Sequence, residues 1–178
     1  RYVYGDTFFR VEYELDLLIH RYPKPFVAVS HGVCMGGGLG LVAGASHRAF
    51  VQGSKIAMPE IHIGLFPDVG GGYFLNRMPA GVGALLALTG HVITAEDALD
   101  IGLADAVVAD DTRTGLCAAL QQCQWSGDGS RDKVVVTGVV RGFAVSTDHT
   151  PSGTLMTHAA NIAQLATCDS APACRDTL

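Results

Sequence analysis

The sequence predicts a single α/β domain in which short strands and short helices alternate. Three features carry that expectation. Short apolar runs rich in β-branched residues recur along the chain, and Gly-rich turns and stretches of helical spacing follow them. The length of 178 residues suits one domain. The hydrophobic fraction is 48% and the mean hydropathy is +0.28, enough for a buried core.

Each element has a local signal. Residues 7–22, TFFRVEYELDLLIHRY, place Phe8, Val11, Leu15 and Leu18 at helical spacing, and Pro23 and Pro25 end that helix. PFVAVSHGV reads as a buried strand closed by Gly32. CMGGGLGLVAGAS reads as a turn that opens a tightly packed helix. HRAFVQ is a second strand and KIAMPE leads to a third. IHIGLFPDVGGGYFLNRM is Gly-rich and turns helical from about Tyr73. MPAGVGALLALTG is apolar and stops at Gly90. Thr94 is a plausible N-cap with Asp97 three positions on, a capping box with Asp in place of Glu or Gln. Ala98, Ile101 and Leu103 are expected to face inward, and VVAD to end a strand. Residues 124–153 read as an irregular connector with one β-like run, KVVVTGVV, and residues 154–178 as helical again. Residues 1–110 are therefore assigned to the core, and residues 111–178 to a connector and helical segment of the same domain.

Composition excludes several classes of function. A net charge of −5 and a pI near 5.7 speak against a nucleic-acid partner. No run approaches the roughly 20 apolar residues of a membrane span, so no membrane partner is expected. RYVYGDTFFR lacks the layout of a secretory leader, and a start at Arg1 leads us to expect a fragment. The cysteines number five, an odd count, with no CxxC pair. Neither a metal site nor a disulfide framework is expected, and the thiols are read as reduced.

Two elements could carry chemistry. Met35-Gly36-Gly37-Gly38 lies between a strand and a helix, where a backbone N–H can stabilise a developing oxyanion and glycine admits close approach. A bare glycine run is weak evidence, and on its own a tight strand–helix turn is the preferred reading. Glu60 and Asp68 lie in the apolar stretch AMPEIHIGLFPDVGGG, where desolvation should raise a carboxyl into acid–base range. Asp68 could instead cap the helix that follows. His31 and His62 are the nearest histidines in sequence. Ser30 or Ser46 with His31 would make a weak Ser–His arrangement, and no GxSxG elbow is present.

The stretch from PKPFVAVSHGVCMGGGLGL through AMPEIHIGLFPDVGGGYFLNRM to LALTGHVITAEDALDIGLADAVV resembles the crotonase, or enoyl-CoA hydratase/isomerase, superfamily over residues 23–108. FFRVEYELDLLIHRY extends the likeness upstream. The resemblance implies a ββα superhelix, a spiral of strand–strand–helix units, here truncated at the N-terminus and expected to be truncated at the C-terminus. Hydratases of this superfamily carry a glutamate three residues beyond the middle glycine; here that position is Gly40. The 3-hydroxyisobutyryl-CoA hydrolase branch instead pairs a glutamate, here Glu60, with an aspartate in GLFPDVGGG, here Asp68. Gly37, with Gly36 beside it, matches one half of the oxyanion hole. Glu12 matches a glutamate placed near the substrate. The family's other oxyanion loop, upstream of FFR, has no counterpart here, and residues 124–153 match poorly.

The resemblance thus implies hydrolysis of a 3-hydroxyacyl-CoA thioester, with catalytic Glu60, Asp68 and Gly37. Glu12, Gly36, Gly37, Glu60 and Asp68 would form the substrate site. Coenzyme A arrives as part of the substrate, and no separate cofactor is implied. An isomerase working with one glutamate, or a catalytically incomplete CoA-binding fragment, is the alternative. The family also implies a homo-oligomer, a trimer or dimer of trimers, located in the cytoplasm of a bacterium or the mitochondrial matrix of a eukaryote.

Overall fold

The computed structural model describes residues 2–145 and 153–177. The chain opens with helix α1, Val3–His20, then reaches β1, Val27–Ser30, and β2, Val33–Met35. Helix α2, Gly37–Ala43, leads to β3, His47–Val51, and β4, Lys55–Ala57. A 3₁₀ turn, Glu60–Ile63, precedes α3, Gly71–Leu75, α4, Val82–Thr89, and α5, Ala95–Asp100. Strand β5, Ala106–Val108, is followed by α6, Arg113–Gln121, and α7, Gly129–Gly142. Short helices α8, Ala159–Ile162, and α9, Ala171–Thr177, close the described chain.

All strand pairs are parallel, so each needs a crossover. One sheet runs β1-β3-β5, with Val27 opposite His47 and Ala49 opposite Ala106. The other pairs β2 with β4, Val33 opposite Lys55. Two circuits of the chain each lay a strand on the first sheet, then one on the second, then add helices; a third begins with β5 on the first sheet. That is the strand–strand–helix spiral the resemblance implied.

The expected single strand PFVAVSHGV is in fact two. Gly32 adopts a positive φ of 67°, which bends the chain out of the first sheet, and its carbonyl accepts from Lys55 N–H as the second sheet begins. Ala98, Ile101 and Leu103 are buried as expected, and the Thr94–Asp97 capping box is present in both directions.

A further expectation is overturned. The β-like run KVVVTGVV lies within α7. Its N-cap, Asp128, accepts from Ser130 N–H and Arg131 N–H. Val136 and Val140, one turn apart, pack with Leu116 of α6 on Ala49, Val51 and Val108 of the sheet. Burial on one helical face outweighs the β preference of its valines. His47 pins α7 to β3: its Nε2 lies 3.0 Å from Thr137 Oγ1 and its Nδ1 2.9 Å from Ser46 Oγ. Ser46 therefore serves His47 and the Phe26 backbone, not His31. Positions 146–152 of the expected connector lie outside the described residues.

Helix α1 is present as the spacing predicts, though it starts earlier. It begins at Val3, and the stripe Phe8, Val11, Leu15 and Leu18 is exposed. The face turned to the protein holds Glu12, Asp16 and Ile19, at i, i+4 and i+7. Glycines on α2 let α1 come close. A Cβ on Gly37 would lie 2.5 Å from Glu12 Oε1, and one on Gly44 would lie 3.4 Å from Ile19 Cγ2.

Candidate active site

The site forms where α1, the first turn of α2 and the 59–70 segment meet. Gly36 has φ 52° and caps α2. Its N–H is taken by the Ala57 carbonyl at 3.2 Å. The N–H of Gly37, at the first position of α2, has no acceptor among the described residues, as expected for a helix start. Gly37 thus offers a donor, while Gly36 offers clearance: a Cβ there would come 2.9 Å from Glu60 Oε1.

Glu60 follows β4 and Pro59 and is buried. Its Oε2 has no hydrogen-bond partner among the described residues. Burial raises its carboxyl above the ordinary glutamate value; its own backbone N–H opposes this, and the charge of Asp68 adds to it. A carboxyl so placed is poised for proton transfer or attack.

Asp68 is not an N-cap. Gly70 caps α3, and the Asp68 side chain accepts from Tyr13 Oη at 2.7 Å. The turn that carries it is strained. Val69 has φ 41°, a region β-branched residues avoid at a cost of about 1–3 kcal/mol. Val69 is buried directly over Gly40, where an added Cβ would meet Val69 Cβ at 2.5 Å and Val69 O at 2.9 Å. The structure has no room for a carboxylate side chain at position 40.

Glu12 completes the group beside Gly37. Burial raises its carboxyl, and Asp68 pushes the same way. The charge of Asp68 is thus felt by both Glu12 and Glu60, which places all three carboxyls in one patch.

Two residues of this patch escaped the sequence reading, Tyr13 and Asp16. Both sit beside Glu12 on α1, and polar residues interrupting a helix's inward face were the available signal. Burial pushes the Asp16 carboxyl up to about 6, with Glu12 and Asp68 adding to the rise. Neither Asp16 oxygen has a donor among the described residues. A cavity of about 660 Å³ opens beside them, lined by Tyr13, Asp16, His20, Phe66, Asp68 and Phe74 among others. Glu60, Glu12 and Gly37 do not line it, so Asp68 and its tyrosine connect the cavity to the Gly37 turn.

A stability effect follows from Asp16. Its carboxyl rises from 3.8 to about 6 on folding. The unfolded chain ionises first, so the folded state loses stability as pH rises through that window and loses no more above it. Asp16→Asn should match wild type near pH 4 and be the more stable by pH 7. Urea unfolding across that range checks this; equal midpoints at neutral pH would contradict it.

Among the described residues no group of His, Cys, Asp or Glu is arranged to hold a metal ion. No helix among them is long and apolar enough to cross a membrane.

A parallel strand–strand–helix spiral with a glycine turn at its first internal helix defines the crotonase fold. The family model described as enoyl-CoA hydratase/isomerase matches residues 2–178, and the chain belongs to that family. It is similar to the mitochondrial 3-hydroxyisobutyryl-CoA hydrolase of Gallus gallus, 49% identical over 104 residues, covering 56% of this chain and 27% of that protein. The corresponding Homo sapiens protein is 47% identical over 98 residues, covering 55% of this chain and 25% of its own length. A carnitinyl-CoA dehydratase from Mycobacterium thermoresistibile superposes with a TM-score of 0.77 at 32% identity, covering 93% of this chain and 45% of that one. The chain thus spans about a quarter of the length of these curated relatives.

Proposed function

We propose that this chain forms the core of an acyl-CoA thioester hydrolase acting on a 3-hydroxyacyl-CoA, with 3-hydroxyisobutyryl-CoA of valine catabolism as the substrate. The observation that carries this reading is the exchange of carboxylates around α2. Position 40, where a hydratase carries its second glutamate, is a glycine filled by Val69, and the same turn brings in Asp68. Similarity to the hydrolases of Gallus gallus and Homo sapiens supports the choice of substrate.

In this reading the thioester oxygen rests on the Gly37 N–H. Removing such a donor typically costs about 10²–10³ in rate. Glu60 supplies the oxygen that adds to the thioester carbon, either its own or that of a water it deprotonates. The C–O bond forms and the C–S bond breaks; where a water adds, its proton goes to the CoA thiolate, and where Glu60 adds, a water then cleaves the resulting anhydride, frees the acid, restores Glu60 and supplies that proton. Asp68 orients the water or delivers that proton. Glu12 would take the 3-hydroxyl. The compartment would be the mitochondrial matrix in a eukaryote and the cytoplasm in a bacterium.

The test follows two products at once. With 3-hydroxyisobutyryl-CoA, the purified chain should release free CoA, read with a thiol-reactive chromophore. With a 3-enoyl-CoA it should not move the double bond. Double-bond migration without CoA release would favour the one-glutamate isomerase. Binding without either product would reject both enzymatic readings.

A further inference from the structure

The turn bearing Asp68 has little of its own to hold it. Val69 and Gly70 both have positive φ, 41° and 83°, and the neighbouring Phe66 is 74% exposed. Within the turn the Gly71 N–H donates to the Asp68 carbonyl, and two side-chain contacts tie it to other elements. The Val69 side chain fills the hollow over Gly40, and Tyr13 Oη donates to Asp68 Oδ2 at 2.7 Å. That bond joins residues 55 positions apart and ties the turn to α1. The second oxygen, Oδ1, has no hydrogen-bond donor among the described residues.

We infer that Tyr13 is a positioning residue of this site, a phenol that holds Asp68 by one oxygen and leaves the other free to accept from a water. The inference rests on the hydrolase reading above. Its physical basis is the crowding of acids. Glu12, Asp16 and Asp68 share one patch: Asp68 adds to the rise of both other carboxyls, and Glu12 adds to that of Asp16. A hydrogen bond donated to a carboxylate favours the ionised form and opposes that repulsion. Tyr13 can give it at any working pH. The bond to Asp68 first, then burial and the three nearby acids, push its hydroxyl up to about 12. The ring itself is 42% exposed, so the hydroxyl rather than ring packing is its committed part.

Tyr13→Phe in the full chain removes that hydroxyl alone. We expect kcat for CoA release to fall about 10–50-fold with KM nearly unchanged, the signature of an interaction needed in the transition state. Combining Tyr13→Phe with Asp68→Ala should slow the reaction no further than Asp68→Ala does. Unfolding in urea supplies a readout free of activity: the same two substitutions should be non-additive in stability. Additivity in both rate and stability would overturn the inference. Coupling in stability with an unchanged kcat would make the bond merely structural and also overturn it, leaving the hydrolase reading in place. A wild-type chain that releases no CoA would remove the hydrolase reading and this inference with it.

Discussion

Glu60→Gln is expected to slow CoA release by about 10²–10⁴-fold while leaving the protein folded. The substitution keeps the size and shape of the side chain, so the clearance over Gly36 is unchanged. It removes the one buried carboxyl that touches the glycine turn. It also removes a cost. The folded carboxyl is raised by burial, so wild type loses stability as pH climbs above the unfolded glutamate value. The amide does not titrate, so the variant should be at least as stable as wild type at neutral pH. Loss of activity and retained stability together are the expected pair. A folded Glu60→Gln protein that keeps more than about a tenth of the rate would show that Glu60 is neither nucleophile nor base.

What the sequence disclosed depended on how local each signal was. The Thr94–Asp97 box spans three residues and was readable directly. Glu60 and Asp68 stood out because charges are few in AMPEIHIGLFPDVGGG, and the structure buries Glu60 and engages Asp68. The ββα spiral came from resemblance, since parallel pairs such as Val33 with Lys55 leave no mark on the intervening residues. Helix α7 was misread because three consecutive valines favour a strand locally; only burial of Val136 and Val140 against a distant sheet decides otherwise. On α1 the spacing gave the helix but not the face it buries. Periodicity finds an apolar face but does not say what covers it, and here the polar face of Glu12 and Asp16 is the one turned inward. The Tyr13–Asp68 bond was invisible to any local pattern, because its partners meet only after the spiral has turned once.

The close approach at Gly40 leads to the second large effect. Alanine is better than glycine by about 1 kcal/mol in a helix interior, so propensity alone would make Gly40→Ala stabilising. Packing opposes it. The added Cβ would lie 2.5 Å from Val69 Cβ and 2.9 Å from Val69 O, and part of that obstacle is backbone. Overfilling of this kind costs about 1–3 kcal/mol. Relief requires Val69 to move, and Val69 already sits at φ 41° beside Asp68. Packing should therefore win, lowering the urea midpoint and slowing CoA release together as Asp68 is displaced. Gly40→Glu should fail more severely and should not install hydration of an enoyl-CoA, because the new carboxylate has no place between α2 and the Val69 turn. An unchanged midpoint for Gly40→Ala, or hydratase activity in Gly40→Glu, would show that the Asp68 turn yields freely, and the division between the two carboxylate arrangements would then not be set by space at position 40.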